Sequence, residues 1–200
     1  MIGSINDLHF HWNMPKGLKQ TSSPIQVSSS AEVTADPAAS QFLSKRIDLQ
    51  LNPLDNEVFV VTGVKIDWSN PLAAVDTSVP GVLDLTQRCS VSTTEQTTYE
   101  GVRSPSVIAA SQIDAQTYIP LTGTDFVYYT AMEQNAMDAP PASMDYLQII
   151  ATNDFYVNLF VGEKYFLNSV MAVDVRVYGY RATADSSTYA ALVQSELLSS

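Results

Sequence analysis

Over most of its length this chain places an apolar residue at every second position, and that regularity restricts it to strands. In Arg46–Leu51, Ile47, Leu49 and Leu51 fall on one side while Asp48 and Gln50 fall on the other. Strand side chains alternate between faces, whereas a helix repeats about every 3.6 residues. After the turn residues Asn52-Pro53-Leu54-Asp55-Asn56, the segment from Val58 to Trp68 sets Val58, Val60, Val64, Ile66 and Trp68 on one face and Lys65 and Asp67 on the other. Gly63 inside it marks a bulge or a close backbone approach. Val82–Ser92 alternates again, with Leu83, Leu85, Cys89 and Val91 inward and Asp84, Thr86, Arg88 and Ser90 outward.

Ser92–Thr98 is polar and reads as a loop. Pro105–Tyr118 carries a weaker pattern on Val107, Ala109 and Ile113, and Thr124–Met132 holds the β-prone run Phe126-Val127-Tyr128-Tyr129. Pro140-Pro141 bars helix and central strand from Gln134–Ser143. Tyr146–Ala151 and Phe155–Val161, separated by Thr152-Asn153-Asp154, have the spacing of a hairpin. Phe155–Val161 and Ser169–Tyr180 suggest a second, around Gly162-Glu163-Lys164, with Met171, Val173, Val175 and Val177 toward the core. Only then does a helical spacing appear. Asp185 or Ser186 can cap it, and Tyr189, Leu192, Val193 and Glu196-Leu197 continue it.

About eight strands over residues 43–181, with no helix alternating between them, predict an all-β fold. The expected architecture is an antiparallel two-sheet sandwich with jelly-roll topology. The expected divisions are an irregular N-terminal arm over 1–40, the sandwich over 41–184 and a short C-terminal helix over 185–200. The arm is rich in Ser, Thr, Ala and Pro and has an aromatic knot at Phe10 and Trp12. Ile25–Ser29 and Ala31–Thr34 are its short strand candidates. Either this arm packs on its own domain or it reaches a neighbour. The stripe of Tyr189, Leu192 and Val193 must likewise rest on the sheet or on another subunit.

Composition narrows function mainly by exclusion. Apolar residues make up 46% of the 200, enough for a large core, but charged residues only 16%. Such a sparsely charged surface suits packed assemblies, because each charge buried at a contact needs a partner, and it suits an ordinary neutral-polar β protein equally well. The formal charge is −11, from 21 acidic against 10 basic groups. Lys45-Arg46 is the only adjacent basic pair, so direct nucleic-acid binding is not expected. The single cysteine, Cys89, allows no intrachain disulfide and reads as a small core residue. MIGSINDLHFHW lacks the layout of a secretory signal, and no stretch has the roughly 18 apolar residues of a membrane helix.

Catalytic patterns are missing. The two histidines, His9 and His11, share one tripeptide and would offer two imidazoles to a metal, with no third ligand named; surface or packed histidines are the commoner case. No Gly-rich phosphate loop and no calcium-loop pattern occurs. The chain is read as a non-enzyme without a cofactor. Tyr128, Tyr129, Tyr146, Tyr156, Tyr178 and Tyr180 would form a sugar-stacking platform only if they shared an outward face.

Eight strands, an irregular N-terminal segment, a terminal helix, few charges and no catalytic set together resemble the single jelly-roll capsid proteins of icosahedral viruses, over residues 24–182 or so. The resemblance implies sandwich subunits ringed around symmetry axes, with arm and terminus bridging neighbours. The implied subunit contacts are Phe10, Trp12, Tyr189, Leu192, Val193 and Leu197. The implied partners are copies of this chain and other particle proteins, and the implied location is the virion after synthesis in the host cytoplasm. The chain departs from one common pattern in lacking a basic arm, which implies a genome shielded by a membrane or another protein, or packaged by other means. The alternative is a carbohydrate- or receptor-binding sandwich, lectin-like or a fibre head. A cupin-like metal site on His9 and His11 ranks third.

Overall fold

The longest strand organises the molecule. The computed structural model describes residues 15–34, 40–68, 81–119, 128–134, 137–162 and 170–198. Among them run β1 (Leu18–Gln20), β2 (Ile25–Thr34), β3 (Gln41–Asp48), β4 (Glu57–Trp68), β5 (Gly81–Ser92), β6 (Val107–Ile119), β7 (Tyr128–Gln134), β8 (Met137–Asp138), β9 (Gln148–Ile150), β10 (Asp154–Val161), β11 (Val170–Ala184) and one helix, α1 (Ser186–Leu198). β11 pairs along one edge with β2 and β1 in tandem and along the other with β4. β4 in turn pairs with β8 and β9 in tandem. The second sheet runs β3-β10-β5-β6-β7.

Every pairing is antiparallel. Take each tandem as one position, set β7 aside as an added edge, and number the positions along the chain. The first sheet then reads one-eight-three-six and the second two-seven-four-five. That interleaving is a jelly roll, as the sequence led us to expect.

Both expected hairpins are corrected. β9 lies in the first sheet and β10 in the second, so the corner at Ala151–Asn153 carries the chain across the sandwich. β10 and β11 also lie in opposite sheets. Alternation reports which face a side chain takes and says nothing of which strand lies alongside. The expected arm is corrected too. Leu18–Gln20 and Ile25–Thr34 are strands of the first sheet, and its two strand candidates are one ten-residue strand, β2. Val27, Ala31 and Val33 pack into the core, but Ser29 shares their side, which blurs the alternation.

The main core lies between the sheets. Phe59, Val61, Val64 and Ile66 of β4 meet Val91, Phe155, Val157 and Leu159 of the second sheet, with Met171, Val173, Val175 and Val177 of β11 beside them. Cys89 sits within it, and burial pushes its thiol far above the ordinary value, so it stays protonated. Trp68 Nε1 donates to Ser111 Oγ at 3.0 Å, tying β4 to β6 across the sandwich.

A smaller core lies on the outer side of the first sheet, where α1 covers Val58, Val60, Tyr180, Ala182 and Ala184. The expectation that Val58, Val60, Val64 and Ile66 share one face is therefore wrong. Tyr178 pairs with Gly63 and Gly179 with Val61, leaving Thr62 as an extra residue. One inserted residue reverses the parity of the strand. Val58 and Val60 turn to the helix, while Val64 and Ile66 turn to the main core.

Gly179 faces this bulge. A Cβ there would lie 2.3 Å from the Val60 carbonyl oxygen and 2.7 Å from the Phe59 ring. Gly179→Ala forces backbone apart between two central strands. We expect it to cost about 2 kcal/mol or more, the upper range for overpacking, read as a fall of several degrees in Tm. An unchanged Tm would show that β4 and β11 do not approach in this way.

Candidate functional site

Asp185 starts the helix. Its Oδ1 accepts from the Thr188 backbone N–H at 2.8 Å and its Oδ2 from Thr188 Oγ1 at 3.0 Å, the contacts of an N-cap. These hydrogen bonds, first from Ser187, hold its carboxyl below the usual range. Tyr189, Leu192 and Val193 then lie half-buried against the small core, so the stripe rests on its own sheet. Leu197, expected to extend that stripe, points away and is 66% exposed. The residue that turns inward is Glu196. Its Oε1 accepts from Ala151 N at 2.8 Å and its Oε2 from Thr152 N at 2.9 Å. The helix thus clamps the corner where the chain crosses between sheets. Tyr189 and Val193 also line a cleft of about 240 Å³ with Leu51, Pro53 and Ala151.

A second feature sits on the outer face of the other sheet. Arg88, Ser90 and Ser92 of β5 share that face with Asn158 and Phe160 of β10. Outward residues on an exposed sheet would be wet, and Ser90 was expected to be so. Instead the segment 93–106 folds over them, and Ser90, Ser92 and Asn158 are fully buried. Asn158 Nδ2 donates to Ser92 Oγ at 2.8 Å, Ser44 Oγ donates to Asn158 Oδ1 at 2.7 Å, and Ser90 Oγ donates to Gln96 Oε1 at 3.2 Å. This polar network satisfies the buried groups that a loop on a sheet would otherwise strand.

At one end of the network the Arg88 guanidinium lies 5.7 Å from the Tyr99 ring centre and 5.9 Å from that of Phe160. Burial raises the Tyr99 phenol above its ordinary pKa, with the Arg88 charge pulling the other way. Arg88, Tyr99, Arg103 and Gln112 line an open cleft of about 370 Å³.

Of the other residues singled out from the sequence, Phe10, Trp12, His9 and His11 lie outside the described residues. No group of three or more His, Cys, Asp or Glu that could hold a metal occurs among the described residues. The tyrosines do not share a platform. Tyr156 lies on the second sheet and Tyr178 and Tyr180 on the first, Tyr180 being buried under the helix. The cleft beside Arg88 escaped sequence reasoning because 93–106 shows only as a polar loop, with no sign of what it covers.

Glu196 gives this site a pH signature. Burial, opposed by its backbone hydrogen bonds, leaves its carboxyl above the usual value of 4.5. A folded-state pKa above the unfolded one means stability fully present below the unfolded value and lost as pH rises through the folded value. We expect wild-type Tm to fall over that interval and Glu196→Gln to flatten the change. Glu196→Ala leaves two backbone N–H groups without acceptors and should cost about 2 kcal/mol or more at any pH. A Tm equal to wild type in Glu196→Ala would remove the clamp from the account.

No protein-family model matches the chain, and no curated protein sequence matches it. Among solved structures it aligns with Trichodysplasia spinulosa-associated polyomavirus VP1, solved in complex with 3'-sialyllactose. The TM-score is 0.46 and the identity 7%, over 84% of this chain and 97% of that one. It also aligns with the Merkel cell polyomavirus VP1 unassembled pentamer at TM-score 0.43 and 8% identity, over 82% of this chain and 96% of that one. The likeness is to viral jelly-roll proteins and is one of architecture alone.

Proposed function

We propose that this chain is a structural subunit that assembles with copies of itself, as a virion coat protein does. The observation that carries this reading is the outward surface of α1. Its only charged residue, Glu196, is buried, so the solvent side of Ser186–Leu198 carries Ser, Ala, Gln and Leu without a charge. Leu197 and Leu198 are 66% and 78% exposed there, and Leu54, beside Pro53 of the adjoining cleft, is 92% exposed. An uncharged surface with projecting leucines buries against a like surface at little desolvation cost. The jelly roll supplies a rigid block on which such contacts can repeat, and the low share of charged residues extends the same logic to other faces.

In this reading Leu197 and Leu198 contact a neighbouring copy, while Tyr189, Leu192 and Val193 hold the helix in place. Phe10 and Trp12 are the contacts of the N-terminal segment, and Gly17, the nearby described residue, lies beside the start of α1, where Asp185 N donates to Gly17 O at 2.9 Å. The acid excess, 21 acidic against 10 basic groups, argues against nucleic-acid contact by this chain. No helix among the described residues is long and apolar enough to cross a membrane.

Native mass spectrometry and electron microscopy of the purified chain test the proposal. We expect rings or closed particles, reduced to monomers by Leu197→Asp with Leu198→Asp at unchanged Tm. A wild-type monomer across salt and protein concentration would sink the reading. Removing residues 1–14, which spares β1 and β2, should leave a folded protein with impaired assembly; unimpaired assembly would take Phe10 and Trp12 out of the contacts.

A further inference from the structure

We propose that the outer face of the first sheet, away from α1, is a two-fold contact between copies of this chain. In it the Asp174 and Asp67 carboxylates of one copy lie against Arg176 and Lys65 of the other. The contact presupposes the association of copies through α1 and adds to it.

β11 runs between β2 and β4 here, and the register sets their outward side chains in rows across the three strands. Asp174 pairs with Ser30 on one side and Asp67 on the other. Two residues along, Arg176 pairs with Ser28 and Lys65. Asp174 and Arg176 are exposed, while Val173, Val175 and Val177 alternate with them into the core. One row is therefore acidic and the next basic. Like charges directly opposite on neighbouring strands are unfavourable, and an exposed sheet gains by placing opposite charges there. Lys65 and Asp67 relieve one another along β4 at 2.8 Å. Among the described residues Asp174 and Arg176 form no ion pair.

Two adjacent rows of opposite sign are complementary to themselves. A two-fold axis lying across the strands, midway between the rows, turns a second copy over so that its basic row covers the acidic row of the first, and the reverse. By symmetry Asp174 meets Arg176 twice and Asp67 meets Lys65 twice. The flanking rows match as well. Glu32 and Ala172 come opposite Gln26 and Tyr178, so no like charges face each other and a small side chain faces a large one. Sheets stacked face to face keep their strands nearly aligned, which this axis allows. The serines of β2 leave an open cleft of about 420 Å³ along Asp174 and Arg176, room for the long Arg176 side chain of the opposite copy. Three strands by four rows cover on the order of 400 Å², about half of what each partner gives to a standard interface. Such a patch orients copies already held by the helix leucines and does not hold two copies by itself.

Analytical ultracentrifugation and electron microscopy of the full chain, over a range of protein concentration and salt, test this. We expect Arg176→Asp and Asp174→Arg each to raise the concentration needed for full-size assembly about tenfold or more, at unchanged Tm, because each turns two attractive pairs repulsive. Arg176→Gln removes the pairs without repulsion and should give a smaller loss. The double variant, Asp174→Arg with Arg176→Asp in one chain, restores opposite signs across the axis and should recover wild-type assembly. Wild-type assembly should retreat to smaller species in about 1 M salt, where charges are screened within roughly 3 Å. Full-size assembly unchanged in both single reversals overturns the contact and leaves the helix reading standing. A loss that the double variant does not repair also overturns it, since the face then meets a different surface of the neighbour. A wild-type monomer removes both the contact and the helix reading.

Discussion

The parity reversal in β4 is the constraint from which the rest of the molecule follows. Thr62 has no partner on β11, so the strand presents Phe59 and Val61 to one side and Val58 and Val60 to the other, then returns to the first side with Val64 and Ile66. A jelly roll needs one apolar face per sheet. Here the end of the first sheet is apolar on both, and the outer apolar face must be covered. The helix α1 is that cover, and β11 runs directly into it through Ala182, Ala184 and the Asp185 cap. Gly179 makes the arrangement possible, because the bulge brings the Val60 carbonyl and the Phe59 ring to where any side chain would stand.

Much of this was legible in the residues. The period of two over Leu43–Arg181 fixes strands, and the absence of intervening helical spacing leaves a sandwich. Gly63 flagged the bulge. What alternation could not carry was its consequence, because a pattern of faces is read locally and the reversal is seen only against the partner strand. Partner choice failed for the same reason. The corner at Thr152-Asn153-Asp154 has hairpin composition, yet it spans the gap between sheets, held by Asn153, whose O accepts from Leu49 N and whose Oδ1 accepts from Leu51 N. β2 was half seen because small serines fit an edge strand without apolar contrast.

The sites were less legible. Tyr189, Leu192 and Val193 were placed correctly as a stripe, but Leu197 and Glu196 exchanged the roles that polarity alone assigns. A carboxylate can be the buried member of such a pair only where two backbone donors meet it, and those donors come from Ala151 and Thr152, more than forty residues away in the chain. Arg88 was assigned to the right face and the wrong medium. Its surroundings depend on a loop whose sequence reports only that it is polar.

Sparse charge and association between copies belong to the same physical argument. A surface that associates with copies of itself gains by shedding charge, since each ion buried at a contact must be paired or neutralised. Few cations therefore remain, and most of those near the sheets serve local pairing or rim positions, as Arg46, Lys65 and Arg181 do with Asp154, Asp67 and Glu57. Arg88 lies half-buried beside the Tyr99 and Phe160 rings, and among the described residues no carboxylate pairs with it. The two features lie on different faces: the uncharged helix on the outer side of the first sheet, and the cleft lined by Arg88 and Arg103 on the outer side of the second.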